Sequence, residues 1–292
     1  MENGFEQRSL KSADGLGLAF RDYGSRLAKR VPVLCLPGLT RNVKDFHHIA
    51  TSMAAERRVL SLDARGRGRS DHDPQYSNYN LVTEVGDVLA LISAELERPC
   101  IILGTSRGGL AAMVMGGVRP EMLAGVVLND IGPVIEREGL VRIMGYLGIV
   151  PEKLDTWDDA REVMRAAGHP DFVGLSDADL MAWARRTFRD EDGEPAMDYD
   201  LKLRDAVIEG PQAAGDFWPQ FRSLADKPLL VLRGENSNLL SAETVAEMRR
   251  MRPDMTAVTV RNRGHVPFLD EPEAESAILS FVRRVDEVEG VS

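Results

Sequence analysis

Residues 101–109 read IILGTSRGG, and the rest of the chain is organised around this stretch. The apolar run at its start predicts a buried strand, and the apolar pattern that resumes at Leu110 predicts a helix. Between them lies G-x-S-x-G, centred on Ser106. The backbone turns so sharply at such a serine that a side chain two residues before or after it would collide with its neighbours. We predict that Ser106 projects its hydroxyl from the apex of a strand-turn-helix; a loop that only caps the helix is the alternative.

The composition is that of an ordinary globular protein with an acidic balance. The 292 residues include 46 acidic and 36 basic side chains, which gives a formal net charge of −10. This balance argues against nucleic acid or an anionic membrane as a partner. The Arg-Gly run at 65–69 is explained more simply as a tight strand-to-helix loop, because no aromatic residues are interleaved with it. We therefore expect neither a nucleic-acid nor a membrane partner.

The positions of the cysteines and the lack of long apolar segments predict a cytoplasmic protein. Cys35 and Cys100 lie inside apolar, strand-like runs, so we expect buried free thiols in a reducing compartment. The first eleven residues contain no apolar stretch of signal-peptide length, and no later segment approaches the roughly 18 apolar residues of a membrane span. No Cys/His cluster has the spacing of metal ligands, so we expect no metal.

The order of strands and helices predicts an α/β fold. Alternating strand and helix patterns indicate a mostly parallel sheet of about eight strands covered on both faces, preceded by a hairpin within 6–22. From 133 to 224 the pattern changes to helix after helix with no convincing strand, and this is too long for a crossover. We predict an all-helical cap at 133–224, inserted into a core formed by 1–132 and 225–292.

Large side chains of the cap are candidates for the wall of a substrate chamber. They are Met144, Tyr146, Leu147, Trp183 and Trp218. For any one of them the alternative is a place in the core of the cap itself. Gly38, which follows the apolar run at 31–36, is a further candidate because it lets a ligand approach the backbone.

A serine hydroxyl is a weak nucleophile and needs a base that is oriented by a third group. Of the five histidines, His265 follows the last predicted strand, at 256–260, directly at its carboxyl end. Sites in open parallel sheets assemble at that edge, so His265 is predicted to share an edge with Ser106. Serine before histidine is also the chain order found with this serine motif. We predict that His265 is the base.

Two backbone amides are candidates to stabilise negative charge that develops on a substrate oxygen. Arg107 follows Ser106 at the start of the predicted helix. Leu39 lies in the loop 36–39, where Gly38 allows a close approach of the backbone. A plain turn is the alternative for this second loop.

Several motifs together resemble the α/β-hydrolase-fold family with a helical cap. They are LPGLTRN (36–42), DARGRGRSD (63–71), GTSRGG (104–109), NDIGP (129–133), LRGENSNLL (232–240) and RGHVPF (263–268). These motifs span nearly the whole chain outside the predicted cap. The resemblance implies a serine hydrolase without a cofactor. Because a serine holds the nucleophile position, the chain does not resemble an epoxide hydrolase or a haloalkane dehalogenase.

The third member of the catalytic group departs from the family pattern. The family usually places an aspartate where this chain has Asn238, a few residues after the penultimate strand. An asparagine carbonyl can hold an imidazole, but it carries no charge to stabilise the imidazolium. Asp130, at the end of the strand that follows the serine, and Glu235 are other sources of a carboxylate. We expect Asn238 to occupy the place of the acid and Asp130 to be the nearest candidate for a carboxylate that stabilises the imidazolium. The alternative role for Asp130 is to brace the cap hinge at 132–133.

Three functions are compatible with this pattern. The first is hydrolysis of a small carboxylic ester or lactone through an acyl-enzyme on Ser106. The second is cleavage of a carbon-carbon bond beside a ketone in a ring-fission-type diketone acid. Arg142, Arg185 and Arg186 are candidates to hold its carboxylate, although exposed surface positions explain them more simply. The third is binding of a small ligand by a catalytically weak protein. The uncharged Asn238 leaves this third function open.

Overall fold

An eight-stranded sheet is the centre of the computed structural model, which describes residues 4–148, 151–210 and 216–291. Its order is β1-β2-β4-β3-β5-β6-β9-β10, and β7 pairs with β8 in a separate hairpin. The strands are β1 (Phe5–Lys11), β2 (Gly17–Tyr23), β3 (Val33–Leu36), β4 (Val59–Leu62), β5 (Cys100–Thr105), β6 (Leu123–Asn129), β7 (Phe188–Glu191), β8 (Glu194–Met197), β9 (Leu229–Gly234) and β10 (Thr256–Val260). In the eight-stranded sheet the pairings β1–β2 and β2–β4 are antiparallel and the other five are parallel, which confirms the predicted, mostly parallel sheet.

Helices cover both faces of this sheet. In chain order they are α1 (His47–Met53), α2 (Leu81–Glu95), α3 (Arg107–Val118), α4 (Arg137–Tyr146), α5 (Trp157–Gly168), α6 (Asp177–Thr187), α7 (Leu203–Glu209), α8 (Trp218–Arg222), α9 (Ala242–Met251) and α10 (Pro272–Val288). Within the described ranges, no helix combines the length and apolar character that crossing a membrane requires.

The strands β3 to β6 are buried at every position, as expected for a sheet covered on both faces. Leu34 and Ile102 face α2 and α3, whereas Cys35 and Ile101 face α1 and α10. Cys35 and Cys100 are buried free thiols, as the sequence predicts. Burial raises the pKa of Cys100 to about 12. Both thiols therefore serve the structure as small apolar side chains.

The segment between β6 and β9 carries helices α4 to α8 and also the hairpin β7–β8. The prediction of an all-helical cap is therefore wrong. The two strands have only four residues each and include charged residues and a proline, so they lack the alternation of a half-buried strand. Their turn, Asp192-Gly193, takes positive φ angles of 55° and 94°. Asp-Gly is a favoured hairpin turn, so this dipeptide was the signal that could have revealed the hairpin.

Backbone hydrogen bonds join the chain after β8 to a loop of the core. The amide of Gly68 donates to the carbonyl of Asp198 at 2.8 Å, and the amide of Asp200 donates to the carbonyl of Gly66 at 2.7 Å. The Asp200 carboxylate also accepts the Tyr79 hydroxyl at 2.6 Å. The inserted segment is thus fastened to the edge of the sheet at which the parallel strands end.

Two of the three arginines of the 65–69 run are buried inside the protein. Arg65 and Arg67 are each 1% exposed. Arg65 pairs with Asp73 at 2.6 Å and with Asp87 at 2.7 Å, and Arg67 pairs with Glu84 at 2.7 Å. Their guanidinium groups therefore hold the loop against helix α2 instead of facing solvent.

Candidate active site

Ser106 stands at a strained turn between β5 and α3. Its φ of 49° and ψ of −113° lie outside the regions that non-glycine residues ordinarily occupy. A Cβ atom on Gly104 would lie 2.5 Å from the carbonyl oxygen of Gly108, and one on Gly108 would collide with the carbonyl oxygen of Leu36. Both glycines are therefore required by close packing of the turn against the neighbouring backbone.

A chain of hydrogen bonds joins Ser106, His265 and Asp130. The Ser106 hydroxyl lies 2.9 Å from His265 Nε2, and His265 Nδ1 lies 2.8 Å from a carboxylate oxygen of Asp130. Because an ionised carboxylate only accepts hydrogen bonds, Nδ1 carries the proton and Nε2 accepts from the serine. The three residues follow β5, β10 and β6, so they meet at the carboxyl edge of the sheet. This is the arrangement that activates a serine for nucleophilic attack.

Asp130 is completely buried and is fixed by further hydrogen bonds. Its carboxylate accepts the amide of Gly234 at 2.8 Å and the hydroxyl of Ser237 at 2.6 Å. Both donors belong to the end of β9 and the loop after it, and this explains the orientation of the carboxylate towards His265. Sequence reasoning did not single out Ser237, although it lies in the motif LRGENSNLL at 232–240.

Asn238 and Glu235 are placed differently. The backbone carbonyl of Asn238 accepts the amide of Gly139 at 3.0 Å, and the residue lines the cavity above Ser106. The Glu235 carboxylate accepts the amide of Asn262 at 2.9 Å. In the described part of the chain, the carboxylate bonded to His265 is that of Asp130. The expectation that Asn238 takes the acid's place is therefore not met by a bond to the imidazole.

The amides of Leu39 and Arg107 have no backbone hydrogen-bond partner among the described residues. Arg107 is the first residue of α3, where an amide has no partner within its own helix. The Leu39 amide donates to no backbone carbonyl among the described residues. A Cβ atom on Gly38 would lie 3.7 Å from the Ser106 Cβ, so the Leu39 loop passes directly beside the serine. Their role as oxyanion donors stays a prediction.

A cavity of about 190 Å³ lies above Ser106 and His265 and is roofed by the inserted segment. Helix α4 contributes Gly139, Arg142, Ile143 and Tyr146 to its wall. This spacing of three and four residues marks one helix face. Met144 belongs to another face of the helix.

The structure places only some of the predicted wall residues at this cavity. Gly38, Tyr146 and Trp183 line the cavity, whereas Met144 and Trp218 do not. Trp218 packs edge-on against Phe221, with 5.6 Å between ring centroids, beside the main core. Leu147 is buried in the core of the inserted segment. Residue type alone could not separate these positions, because the same large apolar side chains form both the wall and the core.

Three aromatic rings form one side of the cavity. Phe172, Trp183 and Phe268 have ring centroids 4.9 to 5.2 Å apart, and each ring contacts the other two. Phe268 follows His265 in the loop after β10, so this cluster joins the inserted segment to the loop that carries the histidine.

The charged groups in the cavity wall are paired. Sequence reasoning missed Arg41, which forms two hydrogen bonds with Asp45, at 2.7 and 2.5 Å. Arg142 pairs with Asp171, and Arg186 pairs with Asp270 at 3.0 Å. The position of Arg41 three residues after Gly38, in the LPGLTRN motif, was the signal that could have drawn attention to it.

Arg185 does not line the cavity. Its guanidinium group lies 3.5 Å from the ring centroid of Trp157, on the outer surface. Among the described residues, no group of three or more histidine, cysteine or acidic side chains is arranged to hold a metal ion.

Comparisons with known proteins identify the family to which this fold belongs. A model of the alpha/beta hydrolase family matches residues 33–277. The chain belongs to the alpha/beta hydrolase family. The 3-hydroxybutyrate-oligomer hydrolase of Cupriavidus necator is 30% identical to this alpha/beta hydrolase over 266 residues, which cover 87% of the chain and 89% of that protein. The 2-(acetamidomethylene)succinate hydrolase of Mesorhizobium japonicum is 26% identical, with 87% of each protein covered.

A solved alpha/beta hydrolase structure from Novosphingobium aromaticivorans superimposes with a TM-score of 0.90 at 40% identity. The superposition covers 96% of this chain and 99% of the Novosphingobium aromaticivorans chain. Family and relatives together support a hydrolase role. The relatives' names differ in substrate, so they leave the substrate class of this alpha/beta hydrolase open.

We expect Gly108→Ala to destabilise the protein by roughly 1–3 kcal/mol, because the new Cβ collides with the Leu36 carbonyl. Thermal unfolding measures this loss. Gly117→Ala, on the same helix, is the control: its Cβ would meet only the Ser223 side chain, with Oγ at 3.7 Å and Cβ at 4.0 Å. Alanine favours the helix there, so stability should be unchanged or rise by up to roughly 1 kcal/mol. Equal losses in both variants would contradict the close-packing argument.

We expect Asn238→Asp to leave kcat on a p-nitrophenyl ester within about threefold of the wild-type value, since Asp130 already accepts the Nδ1 proton. Steady-state kinetics at neutral pH measure the effect. A gain of about tenfold or more would show that the native arrangement lacks a charge that the new aspartate supplies.

Proposed function

We propose that this alpha/beta hydrolase cleaves small carboxylic esters or lactones through an acyl-enzyme on Ser106. The observation that carries the proposal is the hydrogen-bonded chain from Ser106 through His265 to Asp130, at 2.9 and 2.8 Å. Two amides beside the serine, on Leu39 and Arg107, supply the donors that an oxyanion needs.

The proposed reaction has two halves. Ser106 Oγ attacks the acyl carbonyl while His265 Nε2 takes the hydroxyl proton, and Asp130 stabilises the imidazolium. The carbonyl oxygen becomes an oxyanion that accepts the Leu39 and Arg107 amides. The intermediate then collapses: the bond to the alcohol oxygen breaks, and His265 gives that oxygen its proton. Water then attacks the acyl-enzyme while His265 takes one of its protons. The bond to Ser106 Oγ breaks, His265 returns the proton to that oxygen, and the carboxylic acid leaves.

The cavity supports a small substrate. Its volume of about 190 Å³ lies below the roughly 300–1,000 Å³ of pockets that enclose drug-sized ligands. Aliphatic and aromatic side chains form most of the wall, so a short apolar acyl or alcohol group fits it best. The 3-hydroxybutyrate-oligomer hydrolase and the sn-1-specific diacylglycerol lipase of Mus musculus, which is 28% identical, are named for substrates that contain ester bonds.

Ester cleavage is favoured over the other two functions. Holding the carboxylate of a diketone acid calls for a free cation, yet Arg142 and Arg186 in the wall each pair with an aspartate. A binding protein without turnover was suggested by the uncharged Asn238, but Asp130 supplies a carboxylate at 2.8 Å from the imidazole.

A fluorophosphonate probe tests the nucleophile directly. We expect it to label the wild-type protein at Ser106, to leave Ser106→Ala unlabelled, and to react far more slowly with His265→Ala, because the hydroxyl is reactive only beside its base. Intact-protein mass spectrometry reads the adduct. A wild-type protein that stays unlabelled would exclude the proposed function.

The charge on Asp130 is tested by Asp130→Asn. We expect kcat on short-chain p-nitrophenyl esters to fall by a factor of about 10³–10⁴, because the corresponding change in a Ser-His-Asp protease of another fold costs about 10⁴. Glu235→Gln is the matched control and should retain kcat within about threefold, since Glu235 bonds the Asn262 amide and not His265. Similar losses in the two variants would argue against Asp130 as the acid.

A further inference from the structure

A buried carboxylate that the proposed reaction does not use is linked by hydrogen bonds to the residues of both candidate oxyanion donors. It belongs to Glu84 on helix α2, which is 6% exposed. One carboxylate oxygen accepts Arg67 Nη1 at 2.7 Å, and the other accepts Arg107 Nε at 2.5 Å. Glu84 therefore bridges Arg67, in the loop after β4, and Arg107, at the start of helix α3.

Each of these arginines is tied to one of the two donor amides. Arg67 Nε donates to the backbone carbonyl of Leu39 at 2.7 Å. Arg107 carries the second amide on its own backbone, at the start of α3. Hydrogen bonds thus connect the Leu39 carbonyl to Arg67, Arg67 to Glu84, and Glu84 to the side chain of Arg107, which directly follows Ser106.

The charges explain why the bridge needs a carboxylate. Arg67 is 1% exposed, and burial lowers the pKa of its guanidinium group. Burial also acts to raise the pKa of Glu84, but the Arg107 and Arg67 cations outweigh it and hold that pKa below its ordinary value. Without the negative charge, two guanidinium groups would face each other in a site largely closed to water. Their repulsion would displace the loops that they hold.

We propose that Glu84 is a positioning residue for the oxyanion hole, which it holds in shape by fixing the Leu39 loop and the start of α3 relative to each other. The inference rests on the proposed function. Oxyanion donors accelerate acyl transfer only when they already point at the place where the charge develops. A misplacement of about 1 Å is enough to cost about 10²-fold in rate.

A purely structural role for the bridge has to be separated from this one. The backbone of Arg67 also forms a bridge with Tyr199, so loss of the network could loosen the inserted segment. Asp286 offers a matched comparison on the other side of the sheet. It is 4% exposed, and its carboxylate accepts Arg57 at 2.7 Å and the Val31 amide at 3.0 Å. Asp286→Asn and Glu84→Gln both remove one negative charge from a buried ion pair.

The experiment compares these two variants with the wild-type protein on a short-chain p-nitrophenyl ester, with an aryl trifluoromethyl ketone as inhibitor. Addition of Ser106 Oγ to this ketone creates an oxyanion like that of the reaction. We expect Glu84→Gln to lower kcat by about 10- to 100-fold, to leave KM within about threefold, and to raise the inhibition constant in proportion to the loss of kcat. Asp286→Asn should lower the melting temperature and leave kcat and the inhibition constant near wild-type values.

Arg107→Met is the second test variant, to be used if Glu84→Gln does not fold. The Arg107 backbone amide is retained, and Glu84 stays paired with Arg67 at 2.7 Å, so no buried charge loses its last partner and the protein should tolerate the change. We expect about a tenfold loss of kcat with a parallel rise in the inhibition constant.

Three outcomes overturn the inference. In the first, Glu84→Gln or Arg107→Met keeps the wild-type kcat and inhibition constant. In the second, Asp286→Asn loses kcat and inhibition to the same extent as Glu84→Gln. In the third, the wild-type protein neither hydrolyses esters nor takes the fluorophosphonate label; this outcome overturns the proposed function as well, whereas the first two leave it intact.

Discussion

The close contact between the start of helix α3 and strand β3 is the constraint on which the site depends. Gly108 packs against the carbonyl of Leu36 so tightly that no side chain fits between them. This contact holds Ser106 in its strained conformation and brings the loop after β3 beside the serine. The strain is confined to this turn, and the fully buried parallel strands β3 and β5 maintain it.

Around this turn, buried charges keep the loops in place. Parallel strands deliver their loops to one edge of the sheet, where carboxylates and arginines meet away from water. Asp130, Glu84 and Arg67 are each less than a tenth exposed, and each makes at least two hydrogen bonds. Such pairs add little net stability when compared with apolar packing, but removing one partner leaves a costly buried charge. The edge of the sheet is consequently stiff where the proposed chemistry needs fixed geometry.

Patterns that are local in sequence gave reliable predictions. The strand, turn and helix around Ser106 are specified within nine residues, and the buried parallel strands are marked by short continuous apolar runs. Features that depend on which face of an element points inward were not predictable in this way. Met144 and Tyr146 lie two residues apart on α4, yet only Tyr146 lines the cavity. The hairpin at 188–197 was missed because its pairing, and not apolar periodicity, defines its strands.

By itself, the sequence determined the fold family, the position of Ser106 at a tight turn, and the presence of His265 at the same edge of the sheet. Motif spacing and the rule that parallel strands end together suffice for these statements. Only the tertiary structure decided which carboxylate faces the imidazole. Asp130 and His265 are 135 residues apart, and the order of β6, β9 and β10 in the sheet brings them within 2.8 Å. The same holds for the Glu84 bridge: its partners lie 17 and 23 residues away, and only packing of α2 against the loops aligns them.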